Sequence, residues 1–256
     1  MKSLSYLWIA ALAIALAACN GAAEKPTENA PETPEACVED TAGFLWEVDR
    51  FEDIRILRYR IPCWNRLSAK QKELVYYLTQ AGLAGRDIMW DQNYKHNLEI
   101  RGILEKIYTS YSSDKASADW TNFENYLKQI WMSNGIHHHY SNLKHQPKFS
   151  KEYFSMLLAA TSTTCSPEIT EVIFDPKIAP RKVEKDAKKG LVENSAVNFY
   201  GDGITTAEAS AYYEAMNKPN DRAPMSYGLN SRLVKENGQL KEEVYKIGGL
   251  YSAALE

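Results

Sequence analysis

Cysteine is scarce in this sequence, and neither sign of charge dominates it. Four Cys occur in 256 residues, none in C-x-x-C spacing, so neither a disulfide framework nor a zinc knuckle is encoded. Lys and Arg number 30 against 33 Asp and Glu, a formal charge of −3, which argues against nucleic acid as the main partner. There is no Gly-rich phosphate loop, no G-x-S-x-G elbow and no repeat of fixed period. The longest apolar run, Leu4 to Ala18, is short of the ~20 residues that a membrane span needs.

What is present is a globular composition with 45% apolar residues, 16 Tyr and 6 Trp, enough for a sizeable core. The start of the chain stands apart from it. Lys2 precedes the apolar run, which ends in Leu16-Ala17-Ala18-Cys19. Residues 1–19 therefore look like a bacterial lipoprotein signal peptide, with Cys19 as the lipidation site and several acyl chains holding a membrane. A plain secretory signal with a chance Cys is the alternative. Residues 20–36 carry three Pro, four Glu and no large apolar side chain, and 20–37 read as a disordered tether. These features place the protein in a bacterial cell envelope, lipid-anchored on the periplasmic or surface side. With Cys19 acylated, Cys37, Cys63 and Cys165 remain, so one disulfide at most can form.

From residue 38 to 256 the pattern is α+β. Ile54–Pro62 alternates apolar and basic residues and reads as a strand. Ser68 with Gln71 is a capping box, opening a helix whose inner face is Leu74, Leu78 and Ala81. Gly82 and Gly85 blur its end, and Asp87, Trp90 and Asp91 read as a surface turn, with a polar rim on a cleft as the alternative. A second helix spans about Tyr94 to Tyr108, and a third starts near Ser117 with Trp120, Phe123, Leu127, Ile130 and Trp131 on one stripe. Further helices open at Ser150, with Tyr153, Met156, Leu157 and Ala160 inward, at Ser166-Pro167-Glu168 and at the Thr205–Glu208 capping box. Asp175–Gly190 reads as a surface connection. The strand-like runs around Asn237-Gly238 form the strongest hairpin signal in the chain. A helix begins at Ser252 and the chain stops within its first turn, so the sequence reads as cut.

The residues that invite a chemical reading are His137-His138-His139, after the helix-ending pair Asn134-Gly135. In an extended segment His137 and His139 share a face while His138 points away. Three uses are open to them: binding a metal with His145, lining a cleft, or bonding locally as structure. Asn134 and Tyr140 flank the run as cleft candidates. Tyr227, Asn230 and Arg232 enter the last hairpin, where added-strand contacts would suit a peptide; a role in the β structure alone is the other reading.

Three blocks carry a family resemblance. Leu67–Asn93 (LSAKQKELVYYLTQAGLAGRDIMWDQN), Gln129–Asn142 (QIWMSNGIHHHYSN) and Ala196–Gly238, beginning AVNFYGDGITT, together resemble the N-terminal portion of the dipeptidyl peptidase III family, bacterial type. The resemblance implies a zinc metallopeptidase, a hydrolase that removes dipeptides from the N-termini of short peptides. It also implies a two-lobed architecture, of which this chain would be the lower lobe with its small barrel-like β part. The family's zinc ligands sit on His-Glu, three residues, His, with a later Glu-Glu-x-x-Arg-type segment. Here His96 precedes Asn97, His139 precedes Tyr140 and His145 precedes Gln146, while Glu242-Glu243 is followed by Val244-Tyr245-Lys246. No catalytic residue and no metal ligand is assigned within this chain. Zinc belongs to the complete enzyme, and the partner of this part would be the missing zinc-bearing upper lobe. The alternative is a non-enzymatic peptide-binding lipoprotein. An open reading frame beyond codon 256 encoding the zinc helix separates the two.

Overall fold

Ser68 opens the first helix as its sequence demands. Its hydroxyl accepts from Gln71 N, and the Gln71 side chain returns to Ser68 N at 2.8 Å. The computed structural model describes residues 42–217 and 230–256, and Gly43–Glu256 forms one compact unit. In order, the elements are β1 (Glu47–Phe51), β2 (Ile54–Leu57), α1 (Ala69–Ala84), α2 (Arg86–Asn93), α3 (Asn97–Ser110), α4 (Ala118–Ser133) and α5 (Lys151–Ala160). They continue with α6 (Pro167–Phe174), α7 (Thr206–Glu214), β3 (Ser231–Glu236), β4 (Gln239–Val244) and α8 (Ser252–Leu255). The architecture is α+β.

The core lies among α2 to α6. Ile100, Leu104 and Ile107 of α3 meet Phe123, Leu127 and Ile130 of α4, with Phe154, Leu157 and Ile173 behind them. Each of these side chains is fully buried, a gain of about 2 kcal/mol apiece over exposure. A second, smaller cluster joins Ile204, Ala209 and Leu233. The caps expected at Ser117, Ser150, Ser166 and Thr205 are all made. Ser117 Oγ accepts from Trp120 N at 3.2 Å, so Ser117→Ala should cost about 1 kcal/mol, checked by urea unfolding. Asn237 and Gly238 adopt φ of 51° and 81°, the left-handed pair of a tight hairpin, and β3 pairs with β4 from Ser231↔Val244 to Glu236↔Gln239.

Several expectations fail for identifiable reasons. Gly85 has φ −74°, an ordinary helical value, so helix resumes as α2 where a surface turn was read, and Trp90 is buried. No residue of α1 is buried, although Leu74, Leu78 and Ala81 were assigned an inner face. Met156, read as inward, is exposed. The helix expected from Tyr94 begins at Asn97. The Ile54–Pro62 strand stops at Leu57 and pairs antiparallel with Glu47–Phe51, a partner that the sequence pattern did not mark. Among the described residues the strands form two separate two-stranded antiparallel sheets, not a closed barrel.

Candidate functional site

The stem of the histidine run is built by one helix end and one buried amide. Asn134 closes α4 in the left-handed region at φ 50°, and Gly135 N returns to Ile130 O at 3.1 Å. Asn93 Nδ2 donates to Asn134 O at 2.9 Å. Asn97, fully buried, donates from Nδ2 to Trp90 O at 2.9 Å and accepts from Ile136 N at 3.1 Å. One side chain thus ties α2, α3 and the loop together.

Beyond this stem the chain forms a small hairpin. His137 bridges Lys144, His138 N donates to Leu143 O at 2.8 Å, and His145 N donates to Ile136 O at 2.8 Å. Residues 139–141 are the turn. Extended alternation therefore ends at His138, and the expected shared face of His137 and His139 is not formed. His137 is buried, whereas His139 is exposed and stacks on His138 with centroids 4.6 Å apart.

Each imidazole except that of His139 has a local hydrogen-bonding or ionic partner. His137 Nε2 donates to Ala179 O at 2.8 Å. His138 Nδ1 accepts from Tyr140 N and Ser141 N, both at 3.2 Å, which leaves Nε2 facing Asp53 Oδ2 at 3.4 Å. His145 Nε2 meets Ser133 Oγ at 3.0 Å. Burial pushes His137 down to about 4, against the pull of its bond to Ala179 O and with Lys182 and Lys144 adding to the fall. Burial does the same to His145, aided by the neighbouring histidines. Lys144 is also buried, and its ammonium donates to Val172 O, Asp175 O and Ile178 O, capping the negative end of α6. Desolvation lowers its pKa. These ring nitrogens do not fit a zinc site, and among the described residues no three His, Cys, Asp or Glu come together to hold a metal.

A separate concavity borders Ala179. A cleft of about 480 Å³ is lined by Tyr94 and Lys95, by Ala179–Arg181 and Glu184, and by much of the chain from Val192 to Ile204, a volume in the range of small-ligand sites. His137 contacts two of the lining residues, bonding Ala179 at φ 46° and meeting the Tyr94 ring edge-on at 5.8 Å. Burial, with Glu168, raises Tyr94 to about 12, so it stays a phenol. Lys95 pairs with Asp202 at 3.2 Å. Glu184 accepts from Asp186 N and Lys185 N, with Arg181 at 3.6 Å, and these contacts hold its carboxyl below the usual range.

One stretch of this lining makes an isolated β-bridge. Leu233 N donates to Phe199 O at 2.8 Å and Gly201 N to Leu233 O at 2.7 Å, a parallel bridge centred on Tyr200. Bonds from residues 199 and 201 point to β3, so the N–H and C=O of Tyr200 point the opposite way, and neither has a main-chain partner among the described residues.

Of the sequence candidates, none of the histidines lines this cleft. Tyr140 is 82% exposed at the hairpin tip. Asn134 borders a separate hollow with Arg86 and Trp90. Arg232 pairs across the strands with Glu243 at 3.1 Å, and Asn230 O accepts from Tyr245 N at 2.8 Å. Tyr227 and Cys19 lie outside the described residues. Sequence reasoning missed Tyr94, Lys95, Asn198 and Tyr200. The last two stand at the head of the Ala196–Gly238 block, where the only signal was their membership of it. The three blocks also meet in space: Asn198 bonds Gln92 O and Asp91, while Asn93 bonds Asn134 O.

No known family model matches the chain, and no curated protein matches it.

Proposed function

We propose that this chain is the peptide-cleft part of a dipeptidyl peptidase III-like zinc exopeptidase, held at a bacterial envelope by lipid on Cys19. The observation that carries the reading is the main chain of Tyr200, a residue that lines the cleft and whose N–H and C=O have no main-chain partner among the described residues. A short peptide added there would exchange main-chain hydrogen bonds with Tyr200, a mode that tolerates varied side chains. The ionised Glu184 offers an anionic partner for a free amino terminus. The zinc and its general base would be supplied by the upper lobe, and the chain alone binds peptides without cleaving them. Convergence of the three resembling blocks around Asp91–Tyr94 supports the reading, as does the disulfide at Cys63, a bond at home in an oxidising compartment. The barrel-like lower lobe remains part of this proposal.

Titration of fluorescein-labelled tetra- to hexapeptides into the full chain tests it. Micromolar to millimolar binding is expected, weakened at least tenfold when alternate peptide nitrogens are methylated and weakened again by N-terminal acetylation. Equal binding of the methylated peptide removes the strand-edge mode. Release of dipeptides by the chain alone overturns the assignment of chemistry to the other lobe.

A further inference from the structure

The first two strands carry a surface that the cleft does not use. Leu45 and Ile61 are each 59% exposed, Leu57 43% and Tyr59 79%. They lie where the ribbon of β1 and β2 opens, at the end opposite its Glu52-Asp53 turn. Pairing continues past Leu57 there, because Arg58 N donates to Trp46 O at 2.8 Å.

Alternation along this ribbon sorts its side chains. Arg58 and Arg60 both hold their guanidinium carbons over the Phe44 ring, at 5.0 and 5.4 Å, and Phe44 meets Trp46 edge-on at 4.6 Å. The two cations and two rings therefore share one side. Successive residues of an extended chain turn opposite ways, which puts Leu45, Leu57 and Tyr59 on the other side, with Ile61 following them. One side is thus apolar and the other cationic and aromatic. An element lying in a membrane interface has this make-up: acyl chains take the apolar side, while rings and Arg sit among the headgroups.

Charge and connectivity select a bilayer over a protein as the occupant. From Ile54 to Arg66 there are four Arg and no Asp or Glu. The acids nearby are matched within the domain: Glu47 by Arg50 and Arg55, Asp49 by Lys128, Glu52 by Lys148, while Asp53 faces His138. Such a surface complements anionic headgroups. Residues 20–42, at most ~80 Å of chain, separate Cys19 from Gly43, which directly precedes Phe44. A chain anchored at Cys19 therefore presents this end of the domain to its own membrane at high effective concentration.

We infer that the open end of the β1–β2 ribbon docks on a bilayer bearing anionic phospholipid, with Leu45, Leu57, Tyr59 and Ile61 entering it. This rests on the reading of Cys19 as the lipidation residue.

The test uses the full chain, matured in a bacterial envelope and reconstituted into vesicles of phosphatidylethanolamine and phosphatidylglycerol. Flotation with the vesicles reads the anchor. Tyr59→p-benzoylphenylalanine reads the surface: on illumination it should give lipid adducts, counted by mass spectrometry, at least fivefold above those of Lys189→p-benzoylphenylalanine. Adding Leu57→Glu and Ile61→Glu should cut the adducts at position 59 at least fivefold, with the chain still floating. Both side chains are exposed, so the melting temperature should stay that of the parent. Replacing phosphatidylglycerol by phosphatidylcholine should cut the adducts at least threefold. A chain that floats yet gives equal adducts at positions 59 and 189, none at 59, or the same number after the double substitution overturns the inference and leaves the anchor standing. Protein adducts in place of lipid ones do the same. A chain that does not float overturns the anchor, and the inference falls with it.

Discussion

Gly135→Ala should destabilise the domain by about 4 kcal/mol or more, a large share of the ~5–15 kcal/mol that holds a typical domain folded. Two effects add. Gly135 has φ +142°, a region open essentially to glycine. A Cβ placed there would also lie 2.6 Å from Asn97 Cγ, so the buried amide must leave its place. Its departure strands Ile136 N and Trp90 O, at about 1–3 kcal/mol for each buried group left unpaired. Thermal unfolding should show a fall of roughly 10 °C. The control is Asn97→Ala, which loses the same two bonds without backbone strain. The double variant Asn97→Ala/Gly135→Ala should cost clearly less than the two singles together, because the clash is gone. Strict additivity, or a Gly135→Ala melting point within 2 °C of the parent (about 1 kcal/mol at this size), would show that the amide does not organise the loop.

Acid should unfold the domain through two of its histidines. His137 and His145 sit near 4 in the fold against 6.5 when unfolded. Between these values the unfolded chain binds protons that the native chain refuses, so stability falls as pH drops from about 6.5 to 4 and is flat above that window. Each site contributes up to about 3 kcal/mol to the loss, and the two repel each other once charged. Urea midpoints at pH 7.5 and 4.5 should differ strongly. His137→Gln keeps a donor for Ala179 O and removes the titration, so its midpoint should depend less on pH than that of the parent. An unchanged pH dependence in that variant would exclude His137 as a source.

The two predictions share a lesson about the WMSNGIHHHYSN stretch. Three adjacent histidines resemble ligands, yet the fold spends them on a carbonyl, a tight turn and a ring stack. The Asn134-Gly135 stop was legible because a left-handed residue followed by glycine is the local chemistry of a helix end. The fate of the imidazoles was not, since Ala179 and Asp53 lie 42 and 85 residues away from the histidines that meet them.

The same division runs through the domain. Local energetics wrote the helix caps at Ser68, Ser117, Ser150, Ser166 and Thr205, the Asn237-Gly238 hairpin and the buried stripe of α4 into the sequence, because each is decided within a few residues. The α+β class followed from them. Long-range packing alone decided that Trp90 is core, that the apolar faces of α1 stay open, and that Asn97 clamps the loop. It also brought Tyr200 to the cleft lining, because its bridge exists only where Phe199–Gly201 meets a strand more than thirty residues later.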